Sequence, residues 1–415
     1  MRRMTFFLPF VALAAAPALA APADPVLKAA QAARADQLKL LENLVNIDSG
    51  TGDKAGGQKA SELVAAELRA LGMSVDLLPA ELPTLPDNVV ATLKGTGTVG
   101  KGGRILMIAH TDTVFGPGTV AKRPFRIDGS RAYGPGVIDE KGGVVEGITA
   151  LRLLKTLKQT DFAQITFLIE TSEERGSPGT RALIDRLLVD ADVELNLEPG
   201  DVPDLLTVWR KGSNVFRIDV KGRPSHAGVA PQMGRNAAVE LIHQIDLASM
   251  LPDKGDGLTS NLTLMSAGSR NNIIPEDASA TFSVRVRESR QADETEALFR
   301  RNATNTIIPD TKVTVTREVA FPPLPINPAT DALAAMAKTL YARIGGVTLG
   351  GGNGGASESA LAHAKGVPAL DGLGPVGAGS HTEDEYLDLQ TLTPRLYLLT
   401  RLLIELGKKP PARIK

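Results

Sequence analysis

Cysteine is absent from this 415-residue chain. That excludes thiol nucleophiles, thiolate-bound metal and disulfide cross-links. With 43% hydrophobic residues, the chain can bury a large core without covalent staples, so the lack of disulfides is compatible with export. Aromatic residues make up 4% of the chain, with one tryptophan, which leaves few platforms on which bases could stack. The formal charge of -1 supplies no basic field for nucleic acid. Neither G-x-S-x-G nor H-E-x-x-H occurs, which removes two common hydrolase signatures. Gly350 to Gly355 lacks the Lys-Ser/Thr of a phosphate loop. Gly95 to Gly100 fits a dinucleotide fingerprint but precedes a strand pattern instead of a helix, so it reads as a hairpin loop.

The N-terminus has a positive start at Arg2-Arg3, an apolar run from Phe6 to Ala20 and an Ala18-Leu19-Ala20 end. This is the pattern of a secretory signal cleaved after Ala20. The run is shorter than the about 20 residues of a spanning helix, so the expectation is a soluble periplasmic protein with no membrane contact after cleavage. Losing Arg2 and Arg3 takes the formal charge from -1 to -3.

Helix-spaced apolar residues in Pro25 to Ile47 and Gly57 to Leu71 are followed by alternating apolar runs and amphipathic segments. Strands are expected at Asn88 to Leu93, Arg104 to Ala109, Gln164 to Glu170 and Val193 to Leu197. Helices are expected at Glu140 to Leu157 and Thr180 to Leu188. The order implies an α/β fold with a mostly parallel sheet and helices on both faces. Residues 208–320 then read β-α-β-β-α-β, an inserted ferredoxin-like α+β unit. The Pro-rich Phe321 to Pro328 is the return linker. The expected division is therefore a signal at 1–20, a first domain at 21–207 and 321–415, and the insertion between them. In the last segment, Thr393 is expected to cap a helix that Pro394 opens.

His110, the adjacent pair Glu173 and Glu174, and Glu198 all lie where predicted strands end, the rim on which α/β sheets bind ligands. With Asp139 and His381 they make a set of imidazoles and carboxylates suited to two zinc-like cations sharing one carboxylate, with a further carboxylate as proton carrier. That points to a metal-dependent amide hydrolase. Asp112, two residues beyond His110 on an extended segment, can orient its ring. Glu173 is the expected general base, taking a proton from water and handing it to the leaving amine. Each position has a plainer reading: Asp139 as a helix cap, Glu173-Glu174 as a solvated turn, His226 as a loop residue and not an oxyanion donor. His243 and His363 fall inside helical patterns and are expected to be structural.

Taken together, His110-Thr111-Asp112-Thr113-Val114, Gly134-Pro135-Gly136 through Asp139-Glu140-Lys141-Gly142-Gly143, Glu173-Glu174, Leu197-Glu198-Pro199, Ser225-His226-Ala227-Gly228 and Asn272-Ile273-Ile274-Pro275 carry a resemblance. The chain resembles the bacterial glutamate carboxypeptidases, within the wider family of acetylornithine deacetylases, succinyl-diaminopimelate desuccinylases and aminoacylases. The resemblance implies a di-zinc exopeptidase fold, two Zn²⁺ per subunit with other divalent cations as substitutes, and a homodimer formed through the inserted lid. It assigns His110, Asp139 and Glu198 to one cation and Asp139, Glu174 and His381 to the other. It also implies a cis Asp139-Glu140 bond, a His226 supplied to the partner subunit's site, and substrate contacts from Asn272 and Arg287. Where glutamate-releasing relatives carry Gly-Thr-Asp beside the cleft, Ala356-Ser357-Glu358 stands here, so Ser357 and Glu358 are expected at the substrate. No lysine matches near Leu205, although Arg210 and Lys211 are close by. The substrate expected is a small peptide or N-acyl amino acid, cleaved at the bond to a C-terminal glutamate. An aminoacylase or dipeptidase with another side-chain preference, or an exported peptide-binding protein without activity, are the alternatives.

Overall fold

The computed structural model describes residues 24–98, 102–249 and 257–414. The expected signal segment lies outside the described residues. Helix Pro25–Val45 begins with an Asp24 cap, whose carboxylate accepts from the Val26 N–H at 2.9 Å, and with proline in its first turn.

The larger sheet has six strands. Gln164–Glu170, Arg104–His110, Val193–Asn196 and Ala369–Leu370 run parallel, while Asn88–Lys94 is antiparallel and is followed at the edge by Ser74–Leu78. Arg104–His110 sits between two parallel neighbours and is buried from Ile105 onward. That is why its sequence reads as one apolar run, with no alternation. Helix Lys141–Thr156 is buried along most of its length against helices Pro25–Val45 and Leu392–Lys408. The last helix starts two residues earlier than its prolyl signal suggested. Thr391 occupies the cap position, and Pro394 falls inside the first turn, where its missing N–H costs nothing because that donor has no intrahelical partner. The glycine-rich run that fails as a phosphate loop begins with strand Leu349–Asn353, parallel to Leu205–Arg210. Glycine is needed there because a Cβ at Gly352 would lie 2.3 Å from the Trp209 ring.

The inserted unit is a four-stranded antiparallel sheet in the order Thr259–Ala267, Asp277–Val286, Gly212–Lys221, Lys312–Phe321. Helices Ala237–Ser249 and Ser289–Asn302 cover one face, with Phe216, Phe282 and Phe299 in edge-to-face contact. This is the ferredoxin-like order. Even-numbered residues of Asp277–Val286 point into that small core and odd-numbered ones point away from it.

The strand that delivers His110 is clamped at its start. Asp192 accepts from the Arg104 backbone N–H at 2.9 Å and from Nη2 at 2.8 Å. Burial raises the Asp192 carboxyl, but its bonds to Arg104 outweigh this and hold it below the usual range. A group depressed in the folded state stabilises above its unfolded pKa of about 3.9 and loses that contribution as pH falls through the folded value. Asp192→Asn is expected to lower stability at pH 7 by about 1 kcal/mol, with the gap to wild type closing below about pH 4; urea midpoints at the two pH values measure it.

Candidate metal centre

Three carboxyl-terminal strand ends converge on one rim. His110 ends its strand opposite Glu170, Glu173–Arg175 forms a single 3₁₀ turn after the strand Gln164–Glu170, and Glu198 follows Val193–Asn196 by two residues. The turn closes at Gly176 with φ +84°, a left-handed backbone that glycine adopts without steric cost.

Asp139 lies at the centre. Its Oδ1 is 3.3 Å from His110 Nε2 and its Oδ2 is 3.3 Å from His381 Nε2. Glu198 Oε1 approaches His110 Nε2 at 3.5 Å, and Glu174 Oε2 approaches His381 Nε2 at 3.0 Å. One carboxylate thus faces two imidazoles, each accompanied by a second carboxylate. Asp139 does not cap the following helix: Glu140 holds the cap position, without a side-chain cap bond. The Asp139-Glu140 peptide is cis.

The fit to divalent cations can be tested on the donors themselves. His110 Nε2 is buried with no hydrogen-bond partner, although oxygens of Asp139, Glu198, Glu140 and Glu173 surround it at 3.3 to 3.9 Å. A buried imidazole nitrogen aimed at several carboxylates is a ligand set awaiting positive charge. Without a cation the imidazoles take that role as protons. Burial would lower the His110 pKa, but Asp112, Asp139 and Glu198 raise it well above its ordinary value, and hydrogen bonds to Asp139 and Glu174 lift His381 to about 10. Glu198 is pushed up to about 7, chiefly by burial. His110, Asp139 and Glu198 would hold one ion, and Asp139, Glu174 and His381 the other.

Supporting contacts fix these groups. The Asp112 carboxylate accepts from the Glu173 N–H at 3.1 Å, the Glu174 N–H at 3.3 Å and the Thr51 hydroxyl at 2.6 Å. The ring Nδ1 of His110 lies 3.0 Å from the Asp112 carbonyl, closer than its 3.4 Å from the Asp112 carboxylate. Asp112 therefore holds both the imidazole and the glutamate turn. Glu385 accepts from the N–H groups of Gly136, Ile138 and Asp139 at 3.0 to 3.2 Å. Buried Arg210 donates to Glu198 at 3.1 Å and twice to Asp371 at 2.6 and 2.7 Å. Sequence reasoning passed over Glu385 and Asp371 and noted Arg210 only for its position. The signals were faint, because Glu385 and Asp371 are single acids outside the motifs that carry the resemblance.

The cleft of about 450 Å³ above the centre is lined on the other side by the insertion, through Ser213, Ser283 and Arg285 among others. Here the structure corrects three expectations. Arg287 is not in the cleft lining; its guanidinium lies 3.8 Å over the Trp209 ring, because the strand ends at Val286 and the chain leaves the sheet. The arginine in the cleft is Arg285, with no ion-pair or hydrogen-bond partner among the described residues. Burial lowers its pKa, and Glu173 opposes that. Ser357 and Glu358 are also turned inward. Ser357 donates to Asp371 at 2.5 Å, and Glu358 accepts from Ser177 at 3.0 Å and Asn196 at 3.1 Å. Gly355 and Ala356 line the cleft in their place.

His226 and Asn272 are exposed neighbours in the insertion, joined by the Ala227 N–H donating to the Asn272 carbonyl at 2.9 Å. His226 Nδ1 accepts from Gly228 and Val229, which leaves Nε2 carrying the proton. His243 contacts the Asn305 carbonyl and His363 sits in helix Ser359–Ala364, both apart from the cleft lining.

With this geometry in hand, the chain belongs to peptidase family M20/M25/M40, whose sequence model matches residues 106–405. It is a metallo-exopeptidase of the α/β class. Carboxypeptidase G2 of Pseudomonas sp. (strain RS-16) is 38% identical over 407 residues, 95% of each chain. Among solved structures, a tripeptidase from Staphylococcus aureus shares the fold with a TM-score of 0.72 at 22% identity, over 91% of this chain and 99% of that one. The YXEP protein of Bacillus subtilis, described as a dinuclear metal binding peptidase, shares the fold with a TM-score of 0.64 at 17% identity, over 91% and 99%.

Glu385→Ala would leave the three N–H groups of the Gly136–Asp139 turn without their acceptor. The expected result is a 10- to 100-fold loss of metal affinity, roughly that of losing a group that orients a ligand, with little change in the circular dichroism of the fold; competition with a chelating dye measures it.

Proposed function

We propose that the enzyme hydrolyses the amide bond to a C-terminal amino acid, with glutamate preferred, using two zinc ions per subunit. The observation that carries this reading is the Glu173 carboxylate, which lies in the same cleft as both histidine-carboxylate groups and an unpartnered Arg285. Bound zinc supplies a Lewis acid for the scissile carbonyl and acidifies water.

Glu173 takes the proton of the attacking water and returns it to the leaving nitrogen. Burial first, and then the neighbouring Glu358 carboxyl, raise its pKa well above the ordinary glutamate value, the direction that makes a carboxylate a better proton acceptor. Arg285 pairs with the carboxylate of the C-terminal residue. Ser213, Ser283 and Asn353 add polar atoms for an acidic side chain, and this supports glutamate.

A homodimer is part of the same reading. The edge strand Thr259–Ala267 exposes Leu264 and Met265, at 67% and 60%, a hydrophobic edge that a second copy can cover. His226 and Asn272 then serve the partner's cleft, where His226 Nε2–H donates to the oxyanion. The leader sequence supports a periplasmic location for the mature protein. No helix of the described residues is long and apolar enough to cross a membrane.

Glu173→Gln is expected to retain metal but lose about 10²- to 10⁴-fold in kcat; near-normal turnover with metal bound would remove Glu173 from its role. Arg285→Ala is expected to lower kcat/KM by about 100-fold, the cost of roughly 2.7 kcal/mol for a charged hydrogen bond, and Arg287→Ala by far less. Equal losses would return the carboxylate to Arg287. Chelation should abolish turnover and zinc restore it, and a panel of C-terminal residues on one acyl group tests the glutamate preference.

A further inference from the structure

The turn that carries Glu173 and Glu174 is held from two sides. On the outer side Arg181 donates to the Gly176 carbonyl, through Nε at 3.2 Å and Nη2 at 2.8 Å. Its guanidinium lies 4.5 Å over the Phe321 ring, and a Cβ on Gly176 would come within 2.9 Å of Ala320. The outer hold therefore leans on the end of the insertion's strand Lys312–Phe321. The inner hold is Ser177, which is fully buried and whose N–H donates to the Ser172 carbonyl at 2.9 Å. Its hydroxyl lies 3.1 Å from Glu170 Oε1, at the end of a core strand, and 3.0 Å from Glu358 Oε1. Ser177 has φ +56°, a left-handed backbone that glycine adopts freely and that serine adopts only under strain. A residue persists in that conformation where the structure around it over-determines it.

We propose that Ser177 is a positioning residue for the reaction: its hydroxyl joins Glu170 to Glu358 and thereby fixes where Glu173 and Glu174 stand. The inference rests on the amide-hydrolase reading above and adds a residue that acts through the proton acceptor without touching substrate. A serine hydroxyl has one hydrogen, so Ser177 donates to one of the two acids and accepts from the other. Glu358 also accepts from the Asn196 amide at 3.1 Å, whereas the second oxygen of Glu170 is buried with no hydrogen-bond partner among the described residues. Those contacts make Glu358 the acceptor and Glu170 the acid that keeps its proton and donates to Ser177. Glu170 precedes the turn and Ser177 follows it, so the bond between them closes the loop that presents Glu173 and Glu174. The bond to Glu358, the residue ahead of helix Ser359–Ala364, ties the closed loop to the far end of the chain. Glycine would fit this backbone better, and the hydroxyl is what glycine lacks.

The test is Ser177→Gly in the full-length, zinc-loaded enzyme, a change that relieves the backbone and removes only the hydroxymethyl group. A serine that served the fold alone would leave this variant as stable and as active as wild type. The expected result is instead a 10- to 100-fold loss of kcat on the N-acyl amino acid that wild type turns over fastest, with KM little changed, roughly the effect of losing an orienting group. Zinc affinity, read by competition with a chelating dye, is expected to fall about tenfold, because Glu174 rides on the same turn. Amide exchange over residues 172–177, read by mass spectrometry, is expected to quicken. Ser177→Ala keeps the Cβ and should lose as much kcat as Ser177→Gly. Glu358→Ala removes the acceptor, and combined with Ser177→Gly it should lose no more than the larger single loss, because both changes break one bond. Wild-type kcat and zinc affinity in Ser177→Gly, or fully additive losses in the double variant, would overturn the assignment and leave the hydrolase intact. If wild type cleaves no amide substrate, the hydrolase reading fails, and zinc affinity and amide exchange still decide whether Ser177 holds the turn.

Discussion

The arrangement of the whole molecule depends on one electrostatic constraint: Asp139, Glu173, Glu174 and Glu198 are held within a few ångströms of one another around two imidazoles. Four carboxylates cannot stay ionised in a partly dry cleft unless positive charge balances them. The protein supplies only part of that charge, through Arg210 against Glu198 and through the histidines. The remaining demand is what makes the site a place for divalent cations.

Holding that cluster requires neighbours that do not themselves touch the centre. Glu385 uses three backbone donors to fix the turn that carries Asp139. Asp112 joins the His110 strand to the Glu173–Glu174 turn. Arg210 and Asp371, with Ser357 bonded to Asp371, set the Glu198 carboxylate from beneath. Each links segments far apart in the chain, so the geometry of the centre is a property of the assembled sheet. The insertion completes the cleft from above with Arg285 and two serines, so the acidic side of the cleft and the side that carries Arg285 come from different sheets.

Much of this was legible beforehand, for identifiable reasons. The parallel core strands are buried on both faces, so their sequences are continuous apolar runs that end at His110, Glu170 and Asn196, and the polar residues after those ends stand out. The insertion was legible because half of its sheet faces solvent or cleft and alternates clearly. Three kinds of feature were not. The short strands Ser74–Leu78 and Leu349–Asn353 lack a strong pattern, the latter because glycine makes room for Trp209. Helix Leu392–Lys408 begins under a Thr391 whose hydroxyl is engaged with Asp388 and Val376, contacts invisible along the chain. Arg285 and Arg287 share strand parity, so spacing alone could not choose between them.

The sequence by itself determined the class of chemistry. Without cysteine, and with carboxylates and histidines gathered at strand ends, the polypeptide was restricted to oxygen and nitrogen ligands and to carboxylate proton transfer. Tertiary structure decided which acids face the cleft and which serve the frame. Ser357 and Glu358 were drawn inward because Asp371, Ser177 and Asn196 offered buried partners, and burying a polar group is tolerable only where such partners exist. Arg285 was left facing the cleft because no acid in the described residues bonds to it, whereas Arg287, one step past the end of its strand, found the Trp209 ring. Residue type is local information; the direction of a side chain is set by what the rest of the fold places around it.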